Sequence, residues 1–286
     1  MARCDVCFHH CEIGEGQKGL CGARVCSGGA IRPENYGRIT SLALDPIEKK
    51  PLQRFHPGSL ILSVGSYGCN LRCPFCQNHE ISWSREAMAF AGTAETVTPE
   101  ELVETAKQLK PRGNIGLAFT YNEPLIGWEF VRDAGKLAHE AGLVNVLVTN
   151  GTAELTVLEA IAPYIDAMNI DLKGFTEHYY RDILGGDLCM VKDFIARAVL
   201  LCHVELTTLI VPGENDSEEE IGRMAEWISS LEDSGGHVIG HEIPLHITRF
   251  FPRFHMTDRK ATDVKLVYRL AELARRRLRY VYTGNC

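Results

Sequence analysis

The chain of 286 residues has no apolar run approaching the roughly 20 residues that a membrane-spanning helix needs. An integral membrane protein is not expected. Its first residues, "MARCDVCFHH", lack the apolar stretch of a secretory signal peptide. Positive charge is not in excess: 30 Lys and Arg stand against 37 Asp and Glu, a formal net charge of −7. A general nucleic-acid surface is therefore not expected, although a small polyanionic substrate could still meet a local basic pocket. Low-complexity tracts and close internal repeats are also missing. What remains is a cytoplasmic chain with 45% apolar residues, enough to core one large domain or one domain with an appendage.

Cysteine, by contrast, is abundant. The 11 residues fall unevenly: Cys4, Cys7, Cys11, Cys21 and Cys26 come first, then Cys69, Cys73 and Cys76, then Cys189, Cys202 and Cys286. An odd number with two close-spaced groups, in a chain without a secretory segment, favours metal or cluster ligation over disulfides.

"SYGCNLRCPFCQN", Ser66 to Asn78, holds three of these thiols within eight residues. Four thiolates would close every corner of a [4Fe-4S] cluster, as in electron carriers. Three leave one iron without a protein ligand, free for a substrate or cofactor. The alternatives are buried free thiols, or zinc with a fourth ligand such as His79.

Around this motif the chain alternates strands and helices. Residues 1–30 read as a small Cys-rich metal-binding appendage and 31–58 as an extended connecting segment with turns. From 59 to 286 six strand-helix repeats follow. Strands fall on "SLILSVGSYG", "IGLAFTYNEP", "VNVLVTNG", "AMNIDLKG", "HVELTTLIVPGEND" and "IPLHITRFFP", with "YVYTGN" as a short last strand. Thr98, Pro99 and Glu101 open the first helix as a capping box, and Ser217 with Glu220 is expected to box a later one. Further helices are expected over 127–141, 154–161, 191–201 and 263–279. Cys189 and Cys202 read as buried small apolar side chains. The rhythm predicts an α/β fold, a partial (β/α)6 parallel barrel. Ligand chemistry in such sheets gathers at the carboxyl ends of the strands. Asn122, Glu123, Thr149, Asn150, Asp171, Lys173 and His246 sit at such ends. The strand-like final residues also suggest that the natural chain continues beyond Cys286.

"CNLRCPFC" resembles the three-cysteine motif of the radical S-adenosylmethionine (SAM) superfamily, with the aromatic Phe75 just before the last thiol. The similarity runs from about Ser59 to Gly284. Together with "CDVCFHHCEIGEGQKGLCGAR", "TYNEP", "VTNG", "NIDLKG", "LIVPGEND", "HITRFFP" and "YVYTGN" it is closest to the radical SAM enzyme of the AmmeMemoRadiSam system, related to pyruvate formate-lyase activating enzyme. The resemblance implies a [4Fe-4S] cluster on Cys69, Cys73 and Cys76, with SAM on the open iron. Reduction, by a donor such as flavodoxin or ferredoxin, would cleave SAM to a 5'-deoxyadenosyl radical that abstracts hydrogen from the substrate.

The resemblance also gives residues roles, each beside a plainer reading. Phe75 would pack near the adenine, or simply in the core. Asn122 and Glu123 stand where relatives carry a Gly-Gly-Glu segment that receives the SAM amino group; Glu123 could instead be a salt-bridged strand end. Asp171 and Lys173 match positions that handle the methionyl end of SAM, or form a plain ion pair. Thr149 and Asp171 match ligands of a monovalent cation, but Val148 replaces an acidic residue. Asn150 belongs to the same cofactor-binding set. His246 matches a histidine near the SAM ribose, or is a satisfied core histidine.

Cys4, Cys7, Cys11 and Cys21 form a second group in a glycine-rich stretch, suited to a closed structural site. Zinc and a second cluster both remain open there, with His9 and His10 as substitute ligands and Cys26 as a bystander. The expected activity is radical modification of a small-molecule substrate beside Memo-like and companion proteins. Activation of a glycyl-radical enzyme through a protein loop is the alternative. A non-catalytic iron-sulfur or zinc protein is the third reading, disfavoured by the polar strand ends.

Overall fold

The computed structural model describes residues 1–91 and 94–286. Its centre is an eight-stranded sheet. Strand β1 (Ser41–Pro46) runs antiparallel along one edge of β2 (Leu60–Gly65). From β2 the sheet continues in parallel through β3 (Asn114–Phe119), β4 (Val144–Thr149), β5 (Ala167–Asp171), β6 (His203–Ile210), β7 (Leu245–Arg249) and β8 (Val281–Gly284). Strands β1 and β8 are not paired to each other, so the sheet is an open, partial barrel. Parallel strands covered on both faces read as continuous apolar runs; "LILSVG" in β2 is buried from its second residue onward.

Helices α1 (Pro99–Gln108), α2 (Trp128–Glu140), α3 (Leu155–Ile161), α4 (Leu188–Ala198), α5 (Glu218–Ser229) and α6 (Val264–Ala274) alternate with the parallel strands. Each carries one apolar stripe inward, as in α2, where Phe130, Val131, Ala134 and Ala138 are buried. The α1 start is a true capping box: Glu101 N donates to Thr98 Oγ1 at 3.2 Å and Thr98 N donates to Glu101 Oε2 at 2.8 Å.

The expected box at α5 is only half formed. Glu220 N does donate to Ser217 Oγ at 3.1 Å. The Glu220 side chain, however, reaches the amide of Phe175 at 2.6 Å, because that buried N–H in the loop after β5 needs an acceptor more than the helix start does. Helix α4 begins three residues earlier than expected, capped by Asp187, which accepts from Met190 N at 3.0 Å. Helix α6 stops at Ala274, short of the expected 279, and turns through Arg275–Arg277 so that β8 can re-enter the sheet. Cys189 is exposed, not buried: the α4 stripe is Leu188, Val191, Phe194, Ile195 and Ala198, and position 189 faces away from it. Cys202 is half-buried. A π-turn over Tyr179–Leu184 was not anticipated.

The N-terminal stretch forms short ribbons, Ala2–Arg3 with Glu12–Ile13 and Arg24–Ser27 with Ala30–Pro33. It has little core of its own and packs on the sheet: Cys4, Val6, Ile13 and Cys26 join the main apolar cluster. No helix among the described residues is long and apolar enough to cross a membrane.

Candidate active site

The loop that follows β2 carries Cys69, Cys73 and Cys76. It leaves the sheet through Gly68, whose φ of +94° and crowded setting admit no side chain. A Cβ there would lie 2.5 Å from Ile126 Cδ1 and 2.7 Å from Ala23 Cβ. All three cysteines are free thiols. N–H and O–H groups attend two of them: Leu71 N lies 3.4 Å and Asn150 Nδ2 3.8 Å from Cys69 Sγ, and Ser82 Oγ is 3.5 Å from Cys76 Sγ.

This loop forms one wall of a cavity of about 610 Å³ inside the barrel and at the carboxyl ends of its strands. The three thiols and Phe75 line it from β2. Asn122 and Glu123 line it after β3, Thr149 and Asn150 at the end of β4, Asp171 and Lys173 at the end of β5, and His246 on β7. Every cavity residue named from the sequence is therefore brought to one place. Cys4, Cys7, Cys11 and Cys21 are not among the lining residues.

Glu123 is buried and ties β3 to β4. Its carboxylate accepts from Thr149 Oγ1 at 2.7 Å, Asn150 N at 2.7 Å and Leu125 N at 3.0 Å. Burial outweighs these bonds and pushes its pKa up to about 7. Asn122 acts as a backbone clamp: Nδ2 donates to the carbonyls of Tyr67, Gly68 and Glu123, each at 3.2 Å, and Oδ1 accepts from Ser66 N at 3.1 Å.

Lys173 Nζ lies 2.8 Å from Asp171 Oδ2. Burial would lower the lysine pKa, but Asp171 and the Cys73 thiol raise it above the ordinary value, so Lys173 is a cation. The Lys173 amide donates to Tyr180 Oη at 3.0 Å, and Asn215 Nδ2 donates to its carbonyl at 2.6 Å. His246 Nε2 pairs with Glu205 Oε2 at 2.7 Å, and the ring stacks on Tyr282 at 5.2 Å. Phe75 is buried, edge-on to Phe250 at 6.2 Å.

Several lining residues escaped the sequence reading. Glu48, Lys49 and Gln53 come from the segment read as a connector. Tyr121 has a left-handed φ of 74° and donates from Oη to Asp45 Oδ2 at 2.8 Å. Its place inside "TYNEP" was the only hint. Thr248, Tyr282 and Asn285 close the far side; period-two spacing back from the motif ends of β7 and β8 was the available signal. Glu205, which holds His246, gave none.

A half-open parallel sheet with three free thiols on the loop after its first parallel strand is the frame of an iron-sulfur enzyme. The chain belongs to the radical SAM superfamily, whose family model it matches over residues 63–228. It is 37% identical over 286 residues to an uncharacterized protein of Methanocaldococcus jannaschii, covering 99% of this chain and 81% of that one. It is 30% identical over 170 residues to the pyruvate formate-lyase-activating enzyme of Clostridium pasteurianum, covering 58% of this chain and 68% of the relative. The solved structure of QueE from Escherichia coli shares the fold at 12% identity with a TM-score of 0.52, over 86% of this chain and 92% of that one. The protein is thus an enzyme of the radical SAM type, and its family implies a [4Fe-4S] cluster, SAM and an external reductant.

The residues present fit such a cluster. Among the described residues, no three His, Cys, Asp or Glu side chains converge as they would around one metal ion. Three soft thiols on one loop suit a larger inorganic core. His79, the candidate fourth ligand for zinc, stacks on Phe254 at 4.2 Å, and its Nδ1 is buried without a hydrogen-bond partner. Tyr179 Oη is buried without a partner and lies within electrostatic reach of Cys73, an orphaned donor that cluster or thiolate sulfur would satisfy. Burial pushes the Cys73 thiol up to about 11, so loading must release protons.

Proposed function

We propose that this enzyme binds SAM at a [4Fe-4S] cluster on Cys69, Cys73 and Cys76 and abstracts hydrogen from a small molecule held in the same cavity. The observation that carries this reading is the single cavity of about 610 Å³ lined by the three thiols and by polar residues from four further strands or their ends. That volume lies in the range of small-ligand pockets, about 300–1,000 Å³. When bound and reduced, the cluster supplies the electron that splits SAM into methionine and a 5'-deoxyadenosyl radical.

The chain's own part is placement and charge. Glu123 receives the SAM ammonium, at the cost of the proton it holds near neutrality. Lys173 faces the SAM carboxylate, and Asp171 holds the lysine in position and keeps it charged. His246, oriented by Glu205, contacts the ribose, and Phe75 packs on the adenine. Asn122 fixes the carbonyls of Tyr67 and Gly68 at the root of the cluster loop. A monovalent cation on Thr149 and Asp171 would have to displace the Lys173 ammonium; we assign that charge to Lys173. The segment over 48–53 closes the cavity at the amino ends of the strands, where Gln53 and Arg54 donate to Glu205 and the Pro51 carbonyl accepts from Asn169, which favours a small substrate held inside the barrel.

Memo-like and companion proteins are part of this proposal, as is a flavodoxin- or ferredoxin-class reductant. Activation of a glycyl-radical enzyme is the second reading, favoured by the identity to the Clostridium activating enzyme. Anaerobic turnover with reductant and labelled SAM tests both. Wild type should release 5'-deoxyadenosine and a Cys73→Ala variant none; equal yields would end the proposal. Label transfer from a candidate metabolite supports the small-molecule reading, and transfer from a glycyl-radical protein supports the other.

A further inference from the structure

Cys4, Cys7 and Cys21 are buried and Cys11 half-buried, all as free thiols. They are neighbours in space. The Cys11 side chain packs on the turn that leads into Cys21: a Cβ at Gly19 would lie 3.7 Å from Cys11 Sγ, and the Gly22 amide donates to the Gly19 carbonyl at 2.9 Å across Cys21. The Cys4 amide donates to the Cys11 carbonyl at 3.0 Å, closing the first loop. One nitrogen of each imidazole is held, His9 Nε2 by the Asn70 carbonyl at 2.8 Å and His10 Nε2 3.3 Å from Glu154. The four thiols are the soft donors here, the type that iron-sulfur cores take.

The set is docked on the cluster loop itself. The Cys69 amide donates to the Cys21 carbonyl at 3.2 Å. The Asn70 carbonyl accepts from His9 Nε2 at 2.8 Å. Arg72 donates to the Cys69 and Leu71 carbonyls at 2.8 Å and to the Leu20 carbonyl. Its guanidinium bonds the backbone beside Cys69 in one group and the backbone beside Cys21 in the other. One cation thus serves two groups of thiols.

Zinc–sulfur bonds of about 2.3 Å would draw four sulfurs to within about 3.8 Å of one another. No such convergence exists among the described residues. In this respect the N-terminal quartet is like the Cys69, Cys73 and Cys76 trio, which the family assigns to a cluster.

We propose that Cys4, Cys7, Cys11 and Cys21 ligate a second, fully coordinated [4Fe-4S] cluster that passes electrons to the catalytic one. Four thiolates leave no corner for SAM, so this centre carries electrons only. A one-electron donor of the flavodoxin or ferredoxin class reduces it near the half-exposed Cys11. The electron moves on through the Cys21 carbonyl–Cys69 amide contact, and the second cluster returns to its oxidised state. No bond is made or broken, and no proton is needed. The relay, though not the second cluster, rests on the function proposed above for the trio.

Metal and sulfide analysis with electron paramagnetic resonance on anaerobically prepared full-length protein tests this. Wild type should hold about eight irons and no zinc, and a Cys69→Ala/Cys73→Ala/Cys76→Ala variant about four irons, with a reduced-cluster signal. An iron-free triple variant, or one with about one zinc, overturns the second cluster. If wild type held only about four irons and the triple variant kept them all, the catalytic reading would fail while the second cluster stood. Reduced wild type should show a signal broadened by coupling between two clusters, absent from the triple variant; a simple sum of two isolated signals overturns the relay. A Cys7→Ser/Cys11→Ser variant should lose about four irons and cleave SAM at least tenfold more slowly with reduced flavodoxin than with dithionite. Should that variant not fold, the triple variant still decides the cluster and wild-type coupling the relay.

Discussion

Glu205 holds His246 by a 2.7 Å contact between Oε2 and Nε2 inside the barrel. The same fully buried carboxylate accepts from the amides of Gln53 and Arg54 at 3.0 and 2.7 Å and lies 3.0 Å from His203 Nε2. One side chain therefore links the strand that carries it, the histidine of the cavity and the segment that closes the amino end of the barrel.

Replacing Glu205 with Gln should lower stability by about 2–4 kcal/mol, because an amide cannot accept all four bonds and sets an N–H against backbone donors. Burial opposes ionisation here, but the bonds from His203, His246, Gln53 and Arg54 win and hold the pKa at about 2 against an ordinary 4.5. Its folded pKa is depressed, so its contribution is present above about pH 4.5 and lost as pH falls towards 2. Wild-type melting temperature should fall across that window more steeply than that of Glu205→Gln. Parallel slopes in thermal melts would refute the assignment.

Glu123 has the opposite sign. Its folded pKa of about 7 exceeds the ordinary value, so ionising it opposes the fold, and its effect on stability grows as pH rises from 4.5 through 7. A SAM ammonium would favour the carboxylate. SAM affinity should therefore strengthen as pH rises towards 7, by up to about tenfold per unit, and level off above it. Titration calorimetry between pH 5.5 and 8 on wild type and Glu123→Gln checks this, with the variant expected to be weak and flat.

Asp171→Asn should reduce SAM affinity about tenfold, the equivalent of about 1.4 kcal/mol, by leaving Lys173 without its 2.8 Å partner. Melting temperature should move little, since both side chains are partly open to the cavity. Wild-type affinity should be the same within about twofold in sodium, potassium and choline salts. A tenfold gain with one alkali cation would place that ion, not Lys173, against Asp171.

Gly68→Ala should destabilise the protein by about 2 kcal/mol or more, combining a left-handed backbone with a steric clash at Ile126 and Ala23. Iron content after reconstitution should drop with it, because the displaced strand exit carries Cys69. Retained iron with an unchanged melt would show that the loop can shift freely.

Much of this protein was legible in the chain because the relevant signals are local. Three thiols on a short loop mark a ligand site by spacing, and the resemblance of that motif to a known family named the cluster. The strand-helix alternation and the Thr98–Glu101 box arise from residues a few positions apart, so they survive without knowledge of the fold. The Ser217–Glu220 pair shows the limit: the same signature was present, but a distant amide at Phe175 took the carboxylate. Glu205 looks like any strand glutamate until the fold brings Gln53 and Arg54, about 150 residues earlier, onto its oxygens. Tyr179 is an ordinary aromatic until packing buries its hydroxyl without a partner. The covalent order of the chain determined which groups could bind a cluster. Only the tertiary structure decided which carboxylates stay charged and which cations face the thiols, because burial and partners set those states and both come from residues far apart in sequence.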